Sequence, residues 1–320
     1  MGTATSAKDF SSVRTLEVGP ERDGQRLDNA LTVLLKGVPK AHIYRLLRTG
    51  QVRVNGKRAK PETRLAEGDR LRIPPVRLAE RDEAGAPPAA MLNEVRDAVI
   101  FEDRDFLAID KPAGIASHGG SGITFGAIEL LRAARPKDHL ELAHRLDRDT
   151  SGVLVFARSR RGLVGLQDLI RHGETKKQYL CLMTGTLHRA KFDVNAPLRK
   201  SVLSGGERMV RVDEAGKPAL TFFREIERYA DASLVEATLA TGRTHQIRVH
   251  AAYAGYPLAG DPKYGEHEAN KHFRELGLKR LFLHAARFEF ELGERAYSFS
   301  APLPNDLRAV LDRLQQAKSV

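Results

Sequence analysis

HRLDRDTSGVLVFA, residues 144–157, puts five ionisable side chains among its first six positions and then runs straight into an apolar segment. Val153–Ala157 has the length and composition of a buried strand. Thr150, Ser151 and Gly152 are favourable turn residues. A charged turn therefore feeds the core directly. Two readings of it stand: a polar turn, or a carboxylate set between arginines for chemistry.

The strand pattern recurs on both sides of this stretch. VIFEDRDFLAIDKPAG, residues 99–114, reads as two short strands meeting at a turn; VLVFARS, QYLCLMTG, LTFFREIER, SLVEATLA and RLFLHAARFEF read as further strands. Helical patterns occur in TFGAIELLRAAR, RGLVGLQDLIRHG and THQIRVHAAYAG. Neighbouring strands with helices set between them predict an α+β domain over residues 96–320, with a mixed, largely antiparallel sheet. Residues 78–95, LAERDEAGAPPAAMLNEV, mix Gly, Pro, Ala and charge without apolar periodicity and read as a linker.

Ahead of the linker the charge is uneven. Residues 1–80 hold 16 Lys and Arg against 9 Asp and Glu, or +7 of the chain's net +11. Between Asp28 and Glu62 there is no acid, while Lys36, Lys40, Arg45, Arg48, Arg53, Lys57, Arg58 and Lys60 fall in that window. Leu27, Leu31, Leu34 and Leu35 share one helical face. Pro39 can start a second helix, with Ile43, Leu46 and Leu47 inward and Gly50 closing it. Asn55-Gly56 within VRVNGKRA is a strong hairpin signal, and Gly68-Asp69 marks a turn before LRI. Two helices on a small hairpin would leave Lys40, Arg45, Arg48, Arg53, Lys57, Arg58 and Lys60 outward. A solvated helical face normally mixes acids with bases, so this one predicts contact with nucleic acid. Residues 1–14 read as a flexible arm.

The chain has 320 residues, 42% hydrophobic and 29% charged, enough for a packed core. A net charge of +11 points to a polyanionic partner. Trp is absent and aromatics make up 6%, so base stacking can occur at few places. The one cysteine, Cys181, sits in an apolar strand and reads as a buried small hydrophobe, which fits a reducing cytoplasm. MGTATSAKDFSSV lacks the apolar core of a signal peptide, and no run of 18 apolar residues could span a membrane.

Three segments could carry chemistry. In HRLDRDTSG, Asp147 and Asp149 would lie about 6.5 Å apart in extended chain, within reach of a two-carboxylate glycosidase. The flanking arginines argue against it, because one carboxyl must stay protonated. A metal site built from His144, Asp147 and Asp149 meets repulsion from Arg145 and Arg148. A kinase-like loop lacks its Gly-rich partner. The favoured reading is one ionised carboxylate, Asp147, acting at a sugar carbon. In TGRTHQIRVHAAYAG, residues 241–255, Thr244 can cap a helix that Gly255 ends, with Ile247, Ala251 and Ala254 facing the core. Arg243, His245, Gln246, Arg248 and His250 then present donors suited to phosphates. In KKQYLCLMTG, residues 176–185, Tyr179 is either a core residue or a ring for stacking on a base.

These three segments together resemble the RluA family of RNA pseudouridine synthases. LAIDKPAGIASHGG, GDPKYG and RLFLHAARFEF are also similar to family segments, and residues 15–77 resemble the S4 RNA-binding domain. The resemblance is closest to members that act on 23S ribosomal RNA. It implies that Asp147 attacks the target uridine, that Tyr179 packs on the uracil and assists proton loss from C5, and that Arg243 pairs with Asp147. His144, Arg145, Lys177, His245, Gln246, Arg248 and Leu283 are the expected substrate contacts. It implies neither cofactor nor metal, because product and substrate are isomers. The expected partner is 23S rRNA or a large-subunit assembly intermediate, met by a cytoplasmic monomer. An S4-type binding factor without catalysis, or a synthase for other rRNA or tRNA uridines, are the alternatives.

Overall fold

The structure, a computed structural model, describes residues 12–35, 38, 40–76, 86–120, 123–202 and 208–318. The chain forms two compact units that divide between Ala86 and Pro87. The N-terminal unit contains β1 (Arg14–Glu17), α1 (Leu27–Leu34), α2 (Lys40–Arg48), β2 (Arg53–Val54), β3 (Lys57–Arg58) and β4 (Arg70–Ile73). Its core is aliphatic: Leu27, Leu31, Ile43, Leu46, Leu47, Leu71 and Ile73 are buried together. Each such side chain contributes about 2 kcal/mol on burial. Asn55 and Gly56 both take positive φ, 50° and 78°, as a two-residue hairpin turn between β2 and β3 requires. The hairpin does not stand alone, since β4 pairs with both β2 and β1 to give an antiparallel sheet of four strands. Of the expected flexible arm only Ser12–Arg14 is described, and Arg14 already opens a strand. Pro39 and the side chain of Lys40 lie outside the described residues.

The expected linker is partly structured. Ala89–Asp97 forms a helix, α3, with Val95 fully buried and Met91 and Leu92 packed on the same core. Met91, Leu92 and Val95 supply an i, i+1, i+4 apolar edge that the surrounding Ala and Pro conceal in sequence. The rest of the second unit runs β5 (Val99–Glu102), β6 (Phe106–Lys111), α4 (Ala127–Ala134), β7 (Glu141–Leu142), β8 (Ser151–Ala157), α5 (Arg160–His172), β9 (Thr175–Thr184), β10 (Lys191–Asn195), β11 (Leu198–Val202), β12 (Arg208–Val212), β13 (Leu220–Arg228), β14 (Ala232–Leu239), α6 (Gln246–Tyr253), α7 (His267–Glu275), β15 (Leu283–Leu292), β16 (Arg295–Ser300) and α8 (Asn305–Lys318). The main path of the sheet is β10-β13-β14-β9-β15-β8-β6-β5, with β16 on β15 and β7 on β8. Among the described strands every pairing in this sheet is antiparallel except β15 with β8, so the sheet is mixed and largely antiparallel as expected. Cys181 is fully buried in β9, and burial pushes its thiol upward.

The parallel pair explains the end of the opening motif. Gly152 has φ 109°, and a Cβ there would lie 2.2 Å from the carbonyl oxygen of Ala285. Only glycine lets β15 approach β8 this closely. Next to it, Ser151 Oγ lies 3.0 Å from His284 Nδ1, and His284 Nε2 lies 3.0 Å from the carbonyl of Ala301.

Candidate active site

The charged turn connects β7 to β8 and lies at the floor of a cleft. Its wall comes from β9 (Lys177, Tyr179), the end of β14 (Leu239), the start of β15 (Leu283) and the chain from Gly242 to Arg248. All ten residues expected at the catalytic and substrate positions line this one cleft: His144, Arg145, Asp147, Lys177, Tyr179, Arg243, His245, Gln246, Arg248 and Leu283.

The turn is held from below by the segment IDKPAG. Lys111 is fully buried at the end of β6, and its Nζ donates to the carbonyls of Pro112 (2.7 Å), Ile115 (2.7 Å) and Arg148 (3.2 Å). Gly114 N also donates to Arg148 O, and Ser117 Oγ both donates to Leu146 O and accepts from Leu146 N. Burial lowers the Lys111 ammonium to about 7, while the nearby charges of Asp149 and Asp147 favour its protonated form. The loop that presents Asp147 is thus tied through its own carbonyls rather than through the carboxylate.

Asp147 is half-buried, and its surroundings correct the sequence reading. The flanking arginines do not hold it. Arg148 is exposed and donates from Nε to Asp149 at 3.1 Å, and Arg145 is exposed. The guanidinium facing Asp147 is that of Arg248, with Nη1 3.7 Å from Oδ2; His245 Nε2 stands 3.8 Å from the same oxygen. Arg243, the partner implied by the resemblance, is exposed and donates from Nε to the carbonyl of Pro218 at 3.1 Å. It lines the cleft without pairing with Asp147.

Arg248 is fixed from its far side. Nε and Nη2 make a bidentate pair with the fully buried Asp261, 2.7 Å each. Asp261 also accepts from the backbone N–H groups of Lys263 and Tyr264. The Tyr264 ring lies 5.0 Å from the Arg248 guanidinium, and its hydroxyl lies 2.8 Å from His245 Nδ1. A bidentate, stacked geometry of this kind needs arginine, since a lysine offers neither the fork nor the plane. Asp261 and Tyr264 belong to the GDPKYG segment, to which the sequence reading gave no role. An Asp and a Tyr spaced to grip one arginine are recognisable only once the chain folds back on α6.

The start of α6 also differs from expectation. The helix begins at Gln246, and the residue before it, His245, takes φ 55°. A left-handed conformation is uncommon for a non-glycine residue and clusters at functional sites. Thr244 therefore does not cap the helix. The idea that this helix offers a row of donors to phosphates fails for most of it. Gln246 is buried, bonded to Thr241, Leu220 O and Thr221, and His250 is buried between Thr221 and the carbonyl of Ala196. Their donors and acceptors are used in holding the helix onto β13.

Further lining side chains include His144, Lys177 and Tyr179. His144 Nε2 accepts from Val155 N at 3.1 Å, its ring packs edge-on against Phe288, and burial with the Lys177 charge lowers it to about 3. It is a neutral brace, not a ligand. Lys177 lies with Nζ 5.4 Å above the Phe288 ring, and burial lowers it to about 8. Tyr179 is buried, and desolvation together with the Asp147 charge pushes its phenol well above the ordinary value. It presents a ring and a neutral hydroxyl.

In the N-terminal unit, Arg45, Arg48, Arg53, Lys57, Arg58 and Lys60 are all exposed. Among the described residues none of these six lies within 4.0 Å of a carboxylate. Two of them donate to backbone instead, Arg53 to Gly56 O and Arg58 to Arg48 O.

Comparison with known proteins identifies the family. The family model for RNA pseudouridylate synthase matches residues 105–253, and that for the S4 domain matches residues 25–71. Ribosomal large subunit pseudouridine synthase C of Haemophilus influenzae is 49% identical over 314 residues, covering 96% of this chain and 97% of that protein. The protein of the same name from Escherichia coli K12 is 48% identical, covering 96% of this chain and 98% of its own. Among solved structures, human RNA pseudouridylate synthase domain containing 4 superposes with a TM-score of 0.60 at 23% identity, covering 71% of this chain and 96% of that one, a likeness of fold. Human RNA pseudouridylate synthase domain containing 1 gives 0.57 at 25% identity, covering 70% and 94%.

Proposed function

Because the chain belongs to the RNA pseudouridine synthase family, with an S4 domain at its N-terminus, we propose that it isomerises specific uridines of 23S ribosomal RNA with Asp147 as the nucleophile. The substrate reading rests on the relatives named for the ribosomal large subunit. The observation that carries the nucleophile is the pairing geometry. Asp147 faces, within the cleft, a guanidinium whose other side is locked to a buried carboxylate.

In this reading the carboxylate attacks the flipped uridine and the N1–C1′ bond breaks. The uracil turns within the cleft and rejoins the ribose through C5, and the bond to the carboxylate breaks, which regenerates Asp147. C5 loses its proton, and N1 gains one. Atoms balance without an added reactant. Extruding the base costs a few kcal/mol of stacking, least in loops and bulges. Tyr179 offers its ring to the uracil. Burial first, and the Asp147 charge second, keep its phenol protonated. Arg248 and His245 take the positioning role beside Asp147. The exposed Arg243 and Arg145, with the half-buried Lys177, are placed for the flanking phosphates. The S4 domain holds the RNA, and the protein acts as a cytoplasmic monomer on free 23S rRNA or an assembly intermediate.

Tritium release from 23S rRNA labelled at uridine C5 tests the reaction, because forming the C5 bond expels that hydrogen. The wild type should release tritium, and Asp147→Asn should lower the rate by at least about a thousandfold with RNA binding kept. Binding without release by the wild type, on free RNA and on pre-ribosomal particles alike, would leave only an RNA-binding factor.

A further inference from the structure

The S4 domain of the N-terminal unit places an aromatic side chain in an unusual way. Between residues 14 and 77 the sequence contains no Phe or Trp and a single Tyr, Tyr44. The core of this unit is aliphatic throughout, and Tyr44 is left 44% exposed on α2. It stands inside the acid-free window, one helical turn before the exposed Arg48 and next to the exposed Arg45.

The ring is nevertheless fixed. Its hydroxyl donates to Asp28 Oδ2 at 3.0 Å, and the same carboxylate takes a bidentate contact from Arg26, 3.1 and 2.7 Å. Asp28 is almost fully buried and also accepts from Asn29 N. A surface tyrosine held at its tip keeps both faces of the ring in one position, so stacking against it costs little side-chain entropy. The surrounding charges suit a nucleic-acid strand. Arg48 projects from the same helical face, and Arg58, which donates to Arg48 O at 3.0 Å, lies at the end of that path.

We propose that Tyr44 is a stacking platform for an unpaired nucleotide of the bound RNA, with Arg48 and Arg58 contacting the adjoining phosphates. The S4 domain would then read strand character, preferring RNA with an unpaired base over uniform duplex, and not charge alone. This rests on the RNA-binding reading above. Aromatic stacking is tolerant of base identity because every base has a flat face, so the preference is for unpairing rather than for sequence.

The test uses the full-length protein, an RNA hairpin with an unpaired loop, a fully paired RNA duplex of the same composition, and a series of salt concentrations. Tyr44→Leu should weaken binding to the loop RNA about tenfold and leave duplex binding and the dependence of log affinity on log salt unchanged. Tyr44→Phe keeps the stacking face but loses the tether to Asp28, and should weaken loop binding by only about threefold, clearly less than Tyr44→Leu. Arg48→Ala should lower the salt slope by about 0.7 on single-stranded RNA. Unchanged loop binding by Tyr44→Leu overturns the proposal. So does equal weakening by Tyr44→Leu and Tyr44→Phe accompanied by a lower melting temperature, which would make the hydroxyl a mere brace between the helices. A wild type that binds neither RNA removes the RNA-binding reading as well, whereas a wild type that binds both with an indifferent Tyr44→Leu removes only the platform.

Discussion

The two units treat charge in opposite ways. In the N-terminal unit Arg45, Arg48, Arg53, Lys57, Arg58 and Lys60 stand in solvent with no carboxylate near them among the described residues. In the catalytic cleft the important arginine, Arg248, is buried and held on both sides, by Asp261 at 2.7 Å and Asp147 at 3.7 Å. The first arrangement is cheap to build and is screened by salt, so it suits capture of a long polyanion. The second requires desolvating several charges at once, which is tolerable only with complete hydrogen bonding. It fixes one carboxylate in position and suits chemistry.

The strongest challenge to this contrast falls on the buried arginine. Arg248→Lys should lower the single-turnover rate of pseudouridine formation by about a hundredfold and lower the melting temperature, since a lysine cannot reproduce the fork on Asp261. Arg243→Lys should cost less than about tenfold in the same assay, in keeping with an exposed residue. If the two effects are reversed, the partner of Asp147 in the reacting complex is Arg243 and the cleft rearranges on binding RNA.

A pH series sharpens the same contrast from the side of stability. The folded-state value of His144, about 3, lies below its unfolded value of 6.5. Between these values the unfolded chain takes up a proton that the folded chain refuses. The stability contribution is therefore full above 6.5 and is lost progressively as pH falls toward 3. His144→Gln keeps an acceptor for Val155 N, and should reduce the slope of unfolding free energy against pH in that window by about 1.4 kcal/mol per pH unit. Denaturant titrations of both proteins measure it. His245, His250 and His284 are also lowered, first by burial, and contribute slope in the same direction.

The smallest expected effect concerns the exposed charges. Lys57→Ala with Arg48→Ala should weaken RNA binding several-fold at moderate salt and lower the salt slope by about 1.4 on single-stranded RNA. The rate of the bound complex should be unchanged. A fall in that rate at saturating RNA would mean that the basic face also aligns the target base.

Much of this was legible before folding. The hairpin at Asn55-Gly56 follows from backbone preference alone. Leu220–Arg228 emerged as a strand with the boundaries read from its pattern. The α3 helix was hidden because its apolar edge is short and surrounded by Ala and Pro. Helices α7 and α8 and strands β10 to β12 and β16 were not singled out, their patterns being too polar or too brief.

By itself the sequence determined the basic surface, the α+β class and the order of the signature segments, and it singled out Asp147 as a candidate. Those are properties of composition and local pattern, which do not depend on what lies across the sheet. Only the tertiary structure decided which guanidinium faces Asp147, what holds it, and that His250 and Gln246 serve packing. The residues concerned are far apart in sequence: Asp147, Arg248 and Asp261 meet because β9 and β15 bring the turn after β7 against the start of α6. A charge in a chain is only a charge, and its partner is chosen by the fold.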